Sequence, residues 1–282
     1  MRIVDNIAAL RVHTSLTRTN RAIEQSTLRL SSGFRINNAG DDPAGFAIAL
    51  QLRNQVRAMN MADRNTLDGS SLLETADSAL QNLHDMLHRI RELAVQASND
   101  TNSDWDRENS DREVQTLLEE ITDLTTKVEF NNIRLLNGET QNLRIQVGGR
   151  QTMSIAINIP SFTAEALGLE GHVDPNDPTS PRWSLNVRDL ASAQEAIDLA
   201  SEAIAEVSAR RANIGAFINR FEYTSASLRS AVEATQRSLS RVQDTDMAHE
   251  MMQLSIHNIL NQAGMAIMAQ TNSRPQQILQ LI

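Results

Sequence analysis

Cysteine is absent from the 282-residue sequence, and aromatic residues, glycine and proline are scarce: aromatics make up 3%, with 11 glycines and 6 prolines. Without cysteine the chain has no disulfide, no thiolate metal site and no cysteine nucleophile. The shortage of aromatic rings argues against a large globular core, whereas helices packed through Leu, Ile, Val, Met and Ala need few rings. Low glycine and proline contents also favour helix. The composition therefore indicates a mainly helical chain.

Long apolar runs are also missing from the sequence. No stretch reaches the roughly 18 apolar residues that a membrane-spanning helix needs. The first residues contain no apolar segment of the length that signal peptides have. We therefore expect no membrane insertion and no cleaved signal, so that the protein is either cytosolic or exported by a mechanism that needs no cleaved signal.

Charge is unevenly distributed along the chain, whose formal net charge is -9. This acidity argues against nucleic-acid binding. Residues 98–140 hold eleven acidic and four basic side chains, whereas residues 251–273 contain no Asp, Glu, Lys or Arg. A helix of that length without charge on its outer face is poorly suited to standing alone in water, so we expect all its faces to contact protein. Such an arrangement is typical of a subunit that polymerises through its ends.

Apolar residues recur at alternating steps of four and three over residues 72–97, which predicts a long helix with one apolar face. A second row of apolar residues makes that face wider than a two-stranded coiled-coil seam and predicts a bundle. The same pattern returns over residues 114–128 and 193–242. The sequence thus predicts a mainly α fold, a long helical coiled-coil bundle that pairs the N- and C-terminal arms.

The middle of the chain changes from a helical to an alternating pattern. Apolar residues alternate on either side of Gly148 and Gly149, which predicts a small β-hairpin near residues 143–159. Residues 160–189 contain four prolines and are predicted to form a loop, with one helical turn at residues 164–167.

Two short patterns indicate where helices begin. An Asp–Asp pair before Pro43 predicts an N-cap followed by proline in the first helical turn. Ser110 with Glu113 three residues later predicts a capping box at the start of the 114–128 helix, after a polar break at residues 98–109.

His84 and His88 lie four residues apart and would share one helix face, an arrangement that can chelate a divalent metal. The HExxH pattern of metalloproteases is absent, because no Glu follows His84, and no third ligand is evident nearby. Structural or solvated histidines are therefore the preferred interpretation, with a metal-dependent enzyme as the alternative. The sequence also contains no GxSxG elbow, P-loop or GxGxxG motif, so we expect no catalytic residues and no cofactor.

Several runs of the sequence resemble bacterial flagellin, and together they cover nearly the whole chain except about residues 160–189. The runs are RLSSGFRINNAGDDPAG at 29–45, LHRIRELAVQ at 87–96, EFNNIRLLNG at 129–138, RANIGA at 211–216, NRF at 219–221, DMAHE at 246–250, ILNQAG at 259–264 and PQQILQLI at 275–282.

This resemblance implies a structural subunit that polymerises into the extracellular filament of the bacterial flagellum and serves swimming motility. Residues 1–43 and 244–282 would form the inner coiled-coil domain with its joint, and residues 44–243 a helical rod domain. The proline-rich loop would stand where larger flagellins carry outer domains. The terminal helices would be disordered in the monomer and fold on assembly, because isolated helices are marginally stable in water.

The resemblance also implies partners. These are further copies of the chain, the hook-associated junction and cap proteins, the flagellin export chaperone, the flagellar type III export apparatus and the Toll-like innate receptor for flagellin. Receptor contact is expected at Arg89, Glu92, Leu93 and Glu113. The expected polymerisation core comprises Ile3, Ile7, Leu10, Ile23, Leu30, Met251, Leu254, Ile259, Met265 and Leu279.

Two structural alternatives to the filament subunit remain at this point. The hook-filament junction adaptor is a related protein with the same terminal architecture, and it would be present as a small ring instead of a long filament. A secreted coiled coil that only binds, such as a needle-tip or effector protein, would form discrete oligomers.

Overall fold

The structure is a computed structural model that describes residues 6–172 and 182–279, with side chains described over 6–171 and 184–273. Within these ranges it is dominated by five helices, so the predicted mainly α fold class is confirmed. The helices are α1 (Ile7–Ser32), α2 (Pro43–Ala97), α3 (Asp104–Lys127), α4 (Leu190–Gln243) and α5 (Met247–Leu279). None of the described helices contains an apolar stretch long enough to cross a membrane.

Short strands form three antiparallel pairs in the described part of the chain. They are β1 (Glu129–Phe130), β2 (Ile133–Arg134), β3 (Leu143–Gln146), β4 (Ser154–Ile157), β5 (Glu170–His172) and β6 (Arg182–Ser184). The β3–β4 pair, with Leu143 opposite Ile157, confirms the hairpin predicted near residues 143–159. The β1–β2 pair was missed by the sequence reasoning, although Asn131 and Asn132 both have positive φ and form a two-residue turn of the kind hairpins favour.

The prediction of a loop across residues 160–189 is partly wrong, because β5 and β6 pair there. Burial of distant residues stabilises this pair: Leu169 and Leu185 are in the core, and the Leu185 N–H donates to the Leu169 carbonyl at 2.9 Å. The predicted turn at residues 164–167 is present as a hydrogen-bonded turn that the Leu167 N–H closes onto Thr163. Residues 173–181, which hold three of the four prolines of this segment, lie outside the described residues.

The predicted capping box at Ser110 and Glu113 is wrong, because α3 begins six residues earlier, at Asp104. Ser103 is the N-cap: its hydroxyl accepts from the Asp106 N–H, and the Asp106 carboxylate accepts from the Ser103 N–H at 3.1 Å. The hydrogen bond from the Ser103 hydroxyl, followed by that from its backbone, lowers the pKa of Asp106. The true box has the same chemistry as the predicted one, with Asp in place of Glu.

The chain divides into two compact units. The terminal unit comprises residues 1–57 and 233–282, and the central unit comprises residues 58–232. The start of α2 and the end of α4 coincide with the predicted domain boundaries at 43 and 244, whereas the compact units divide within those helices. The assignment of residues 1–43 and 244–282 as a separate assembly layer stays a prediction.

The central unit contains a dense apolar core. The predicted stripe on α2 is confirmed, because its members from Leu72 to Ala97 are buried except Met86, which is half-buried. The second row is fully buried and explains why the apolar face is so wide: Leu73, Leu80, Leu87 and Ala94. Small residues of α4 lie in the same core, namely Ala193, Ala196, Ala200 and Ala203.

Candidate functional site

The first candidate site is the terminal helix pair, in which α1 and α5 pack against each other in opposite directions. The Asn6 amide, at the start of α1, donates to the Thr271 carbonyl near the end of α5 at 3.2 Å. At the other end of the pair, Arg29 lies 3.7 Å from the buried carboxylate of Glu250. The backbones approach closely between these ends, since a Cβ on Gly264 would be 2.9 Å from the Leu16 side chain. The pairing of N- and C-terminal arms that the sequence predicted is therefore present.

Most of the residues expected in the polymerisation core are exposed in the subunit or only half-buried. Five of the ten are exposed: Ile7, Leu10, Met251, Ile259 and Met265. Three are half-buried in the helix pair: Ile23, Leu30 and Leu254. Ile3 and the side chain of Leu279 lie outside the described residues.

The exposed surface of α5 is unusually apolar. Its large exposed apolar side chains are Met247, Met251, Met252, Ile256, Ile259, Leu260, Met265 and Ile267. At 100° per residue these positions span more than half of the helix circumference. Over the α5 residues whose side chains are described, 247–273, Glu250 alone is fully buried. Contact with α1 therefore covers only part of the apolar surface of α5, and the charge-free face remains open.

Backbone hydrogen bonds join residues 33–35, which follow α1, to residues 243–245, which precede α5. Gly33 adopts a left-handed conformation with φ of 76° and caps α1, and its carbonyl accepts from the Thr245 N–H at 3.0 Å. The Arg35 N–H donates to the Gln243 carbonyl at 2.7 Å, and the Arg53 guanidinium donates to the Gln243 side chain at 2.7 Å. These bonds fix the chain where it enters and leaves the terminal helices.

The turn before α2 confirms the predicted helix start at Pro43. The Asp42 carboxylate accepts from the Gly45 N–H at 3.0 Å and so caps the helix. Asp41 has a different role, because its carboxylate accepts from the backbone N–H groups of Asn38 and Asn37, each at 3.0 Å. These hydrogen bonds, first from Asn38 and then from Asn37, lower the pKa of Asp41 below its usual value.

The second candidate site is the expected receptor patch in the central unit. Arg89 on α2 donates to Glu113 on α3 at 2.7 Å and to Glu92 at 3.3 Å. These hydrogen bonds, with Glu113 the larger contributor, raise the pKa of Arg89. All three side chains are about half exposed or more, whereas Leu93 is only 2% exposed and lies in the core. The structure thus brings together three charged residues at the surface and separates Leu93 from them by burial.

Glu113 takes part in an ion pair and not in a helix cap. Sequence spacing could not reveal this pairing, because Arg89 and Glu113 are 24 residues apart on different helices. The Arg188–Asp111 pair was missed for the same reason: Asp111 is buried and accepts from the Arg188 guanidinium at 2.7 Å and from the Val187 N–H at 3.1 Å.

His84 and His88 do contact each other, with ring centroids 4.5 Å apart in an edge-to-face arrangement. Burial is the main cause that lowers the pKa of His84, followed by the positive charges of His88 and Arg211. The Ser208 hydroxyl lies 3.3 Å from His84 Nε2. Among the described residues no group of three or more His, Cys, Asp or Glu side chains converges on one point. The described chain therefore provides two imidazoles without a third protein ligand.

Known protein families match most of the chain. The model of the bacterial flagellin N-terminal helical region matches residues 3–141, and that of the C-terminal helical region matches residues 197–282. A flagellin of Bacillus subtilis is 39% identical over the full length of both chains. A flagellar filament 33 kDa core protein of Treponema phagedenis is 35% identical, again over the full length of both.

Solved structures agree with this pattern. The crystal structure of a Bacillus cereus flagellin is similar with a TM-score of 0.50 and 27% identity, over 58% of this chain and 88% of that one. A flagellar hook-associated protein 3 from Legionella pneumophila has a TM-score of 0.52 over 70% of this chain and 98% of its own. Its identity is only 14%, so that likeness shows a shared fold alone.

Proposed function

The chain belongs to the bacterial flagellin family, and from this premise we propose that copies polymerise through the open apolar face of the α1–α5 pair. The protein is a structural subunit of the flagellar filament and not an enzyme, and a role in motility follows from the family. The full-length relatives are flagellins or filament core proteins, which favours the filament subunit over the junction adaptor.

The main support for this proposal is the exposure of apolar side chains on α5. Residues 251–273 have no charged side chain, and eight large apolar residues of this helix are exposed in the single subunit. Removing apolar surface from water contributes about 25 cal/mol for each Å² buried. Burying these side chains between copies therefore favours association, and an open-ended assembly covers the face in every subunit except those at its end.

Substitutions at Ile259 test this proposal. Ile259 is 65% exposed, so a surface substitution there should change the free energy of unfolding of the subunit by only about 0.5 kcal/mol. We expect Ile259→Asp to prevent filament growth, because the carboxylate would be buried between copies without a partner. Ile259→Val keeps the apolar surface and should still polymerise.

Electron microscopy after seeding with filament fragments gives the readout for both variants. Circular dichroism checks that the unassembled variants have the same helical content as the unassembled natural chain. Normal filaments from Ile259→Asp would refute the proposed contact.

We propose that the subunit reaches the extracellular filament through the flagellar type III apparatus, with an export chaperone on its C-terminal segment. The same open face of α5 supports this proposal, since it needs a cover before assembly. The terminal helices would be disordered until incorporation, and hydrogen exchange of purified monomer measures this directly. Strong protection of the amides of α1 and α5 in the monomer would contradict the proposal, as would secretion from a strain without the apparatus.

We also propose that Arg89, Glu92 and Glu113 form the contact for the Toll-like innate receptor, with Leu93 supporting them from the core. The Arg89→Ala variant removes the residue that joins both carboxylates. We expect receptor activation by monomers to need about tenfold more protein. Arg112→Ala breaks a separate exposed pair with Glu108 and serves as the matched control. Equal potency of the two variants in receptor activation would exclude this patch as the receptor contact.

A further inference from the structure

Half of the ten methionines of the chain lie on one helix, α5. Four of them are between 48% and 59% exposed, and the fifth, Met268, is half-buried: the four are Met247, Met251, Met252 and Met265. With no cysteine in the sequence, no thiol competes with these thioethers for an oxidant. Among the described residues of the free subunit, most of the exposed methionine sulfur atoms therefore lie on the open face of α5.

We propose that these methionines are a redox-sensitive modification site, at which a peroxide converts the free subunit into a form that cannot polymerise. The inference rests on the proposed function, since it requires that the open face of α5 is the contact between copies. Incorporation into the filament would in turn protect the same sulfur atoms from the oxidant.

The oxidant is hydrogen peroxide, which transfers one oxygen atom to the sulfur. A lone pair of the methionine sulfur attacks one peroxide oxygen, the O–O bond breaks, and the new S–O bond forms. The departing hydroxide takes the proton that the transferred oxygen carried and leaves as water. The sulfur loses two electrons and the peroxide gains them, so the products are one sulfoxide and one water.

The surroundings of these residues explain why the product would be harmful here. A sulfoxide is a strong hydrogen-bond acceptor, and burying it without a donor is unfavourable. Residues 251–273 contain no Lys or Arg, so only neutral donors such as Gln and Asn side chains are available there, and their hydrogen bonds are weaker than those of charged groups. Each sulfoxide that becomes buried between copies should raise the critical concentration for assembly about tenfold.

The test treats purified full-length monomer with hydrogen peroxide, removes the peroxide with catalase, and measures the critical concentration for seeded assembly. Two variants are compared with the natural chain. In the first, leucine replaces the methionines of α5 (Met247→Leu, Met251→Leu, Met252→Leu, Met265→Leu and Met268→Leu). The second is a matched control in the central unit, Met61→Leu with Met153→Leu, whose side chains are each 51% exposed.

The readout is the ratio of the critical concentrations of treated and untreated protein, so that each variant is its own reference. We expect a large increase for the natural chain and for the Met61/Met153 control, and a ratio near one for the α5 variant. Equal increases in all three proteins would overturn the inference, because the damage would then lie outside α5.

A second measurement does not depend on how well the α5 variant assembles. Peptide mass spectrometry of the natural chain compares the oxidation rate of the α5 methionines in monomers and in filaments, and methionine sulfoxide reductase is then added to treated monomers. Slower oxidation in filaments and recovery of assembly support the inference, and the absence of either result overturns it. Failure of the proposed function is distinguishable, because it appears without any oxidant as normal filaments from Ile259→Asp.

Discussion

The two units of this chain are built from similar helices, but they differ in how far their apolar side chains are buried. In the central unit, residues such as Leu80, Leu83, Leu87 and Ile90 have no exposed surface. In the terminal unit, Ser26 is the one buried residue of α1. Several large apolar side chains of α1 and α5 are exposed to solvent. The central unit therefore encloses a large apolar core, although scattered apolar side chains such as Trp105 and Tyr223 are exposed on it. The terminal helix pair instead leaves many of its large apolar side chains in contact with solvent.

The central unit therefore supplies most of the folding stability, and the terminal helix pair supplies the surface for association. Burial within one chain stabilises the fold of the subunit at any concentration, whereas burial between copies depends on concentration. A chain that kept all its apolar surface inside would have little reason to polymerise. A chain with an uncharged face on both units would be prone to disordered aggregation. About half of the large exposed apolar side chains of the described residues lie on α1 and α5, and this concentration directs association to one part of the subunit.

Removing the terminal helices should have the largest effect, because it should abolish assembly and leave the central unit folded. A chain without residues 1–32 and 247–282 is expected to form no filaments, because the open apolar face is gone, while the central unit keeps its helical core. Electron microscopy after seeding measures the first effect and circular dichroism in increasing urea the second. Long tubes from the shortened chain would show that the terminal helices are not the contact between copies.

Leucine-to-alanine substitutions, one in each unit, should have opposite effects on folding stability and on assembly. Leu80→Ala in the central core should lower the free energy of unfolding by about 2–5 kcal/mol, because it leaves a cavity among fully buried residues. Leu10→Ala on α1, where the side chain is 66% exposed, should change it by only about 0.5 kcal/mol. Urea unfolding of monomers measures both values. For assembly the order should reverse, with Leu10→Ala the more harmful substitution. Comparable effects on unfolding would mean that the Leu10 side chain is buried in the monomer.

The smallest expected effect is that of acid on Asp41, in the turn before α2. The pKa of Asp41 is lowered in the folded chain, so its carboxylate stabilises the fold at neutral pH, and this contribution is lost as the pH falls below the ordinary value of 3.8 through the lowered pKa. Asp41→Asn should reduce the pH dependence of the urea midpoint in that acidic window. Glu24→Gln removes an equal charge from the exposed surface of α1 and is the control. Identical pH profiles for the two variants would contradict a role for Asp41.

Local patterns allowed much of the fold to be predicted. The apolar stripe on α2, the β3–β4 hairpin and the cap before Pro43 all depend on residues within a few positions of one another, where helix and strand geometry dictate the spacing. The start of α3 was misplaced because Ser103 with Asp106 and Ser110 with Glu113 offer similar capping chemistry. Local sequence could not decide between the two pairs.

The long helices, the uncharged apolar surface of the C-terminal helix and the hairpin in the middle of the chain could be predicted from local sequence. The pairing of Glu113 with Arg89 and that of β5 with β6 depend instead on tertiary packing. The physical reason is range: periodicity and caps act over a few residues. Burial and ion pairing instead depend on which distant segment arrives to exclude water, and no neighbouring residue specifies that.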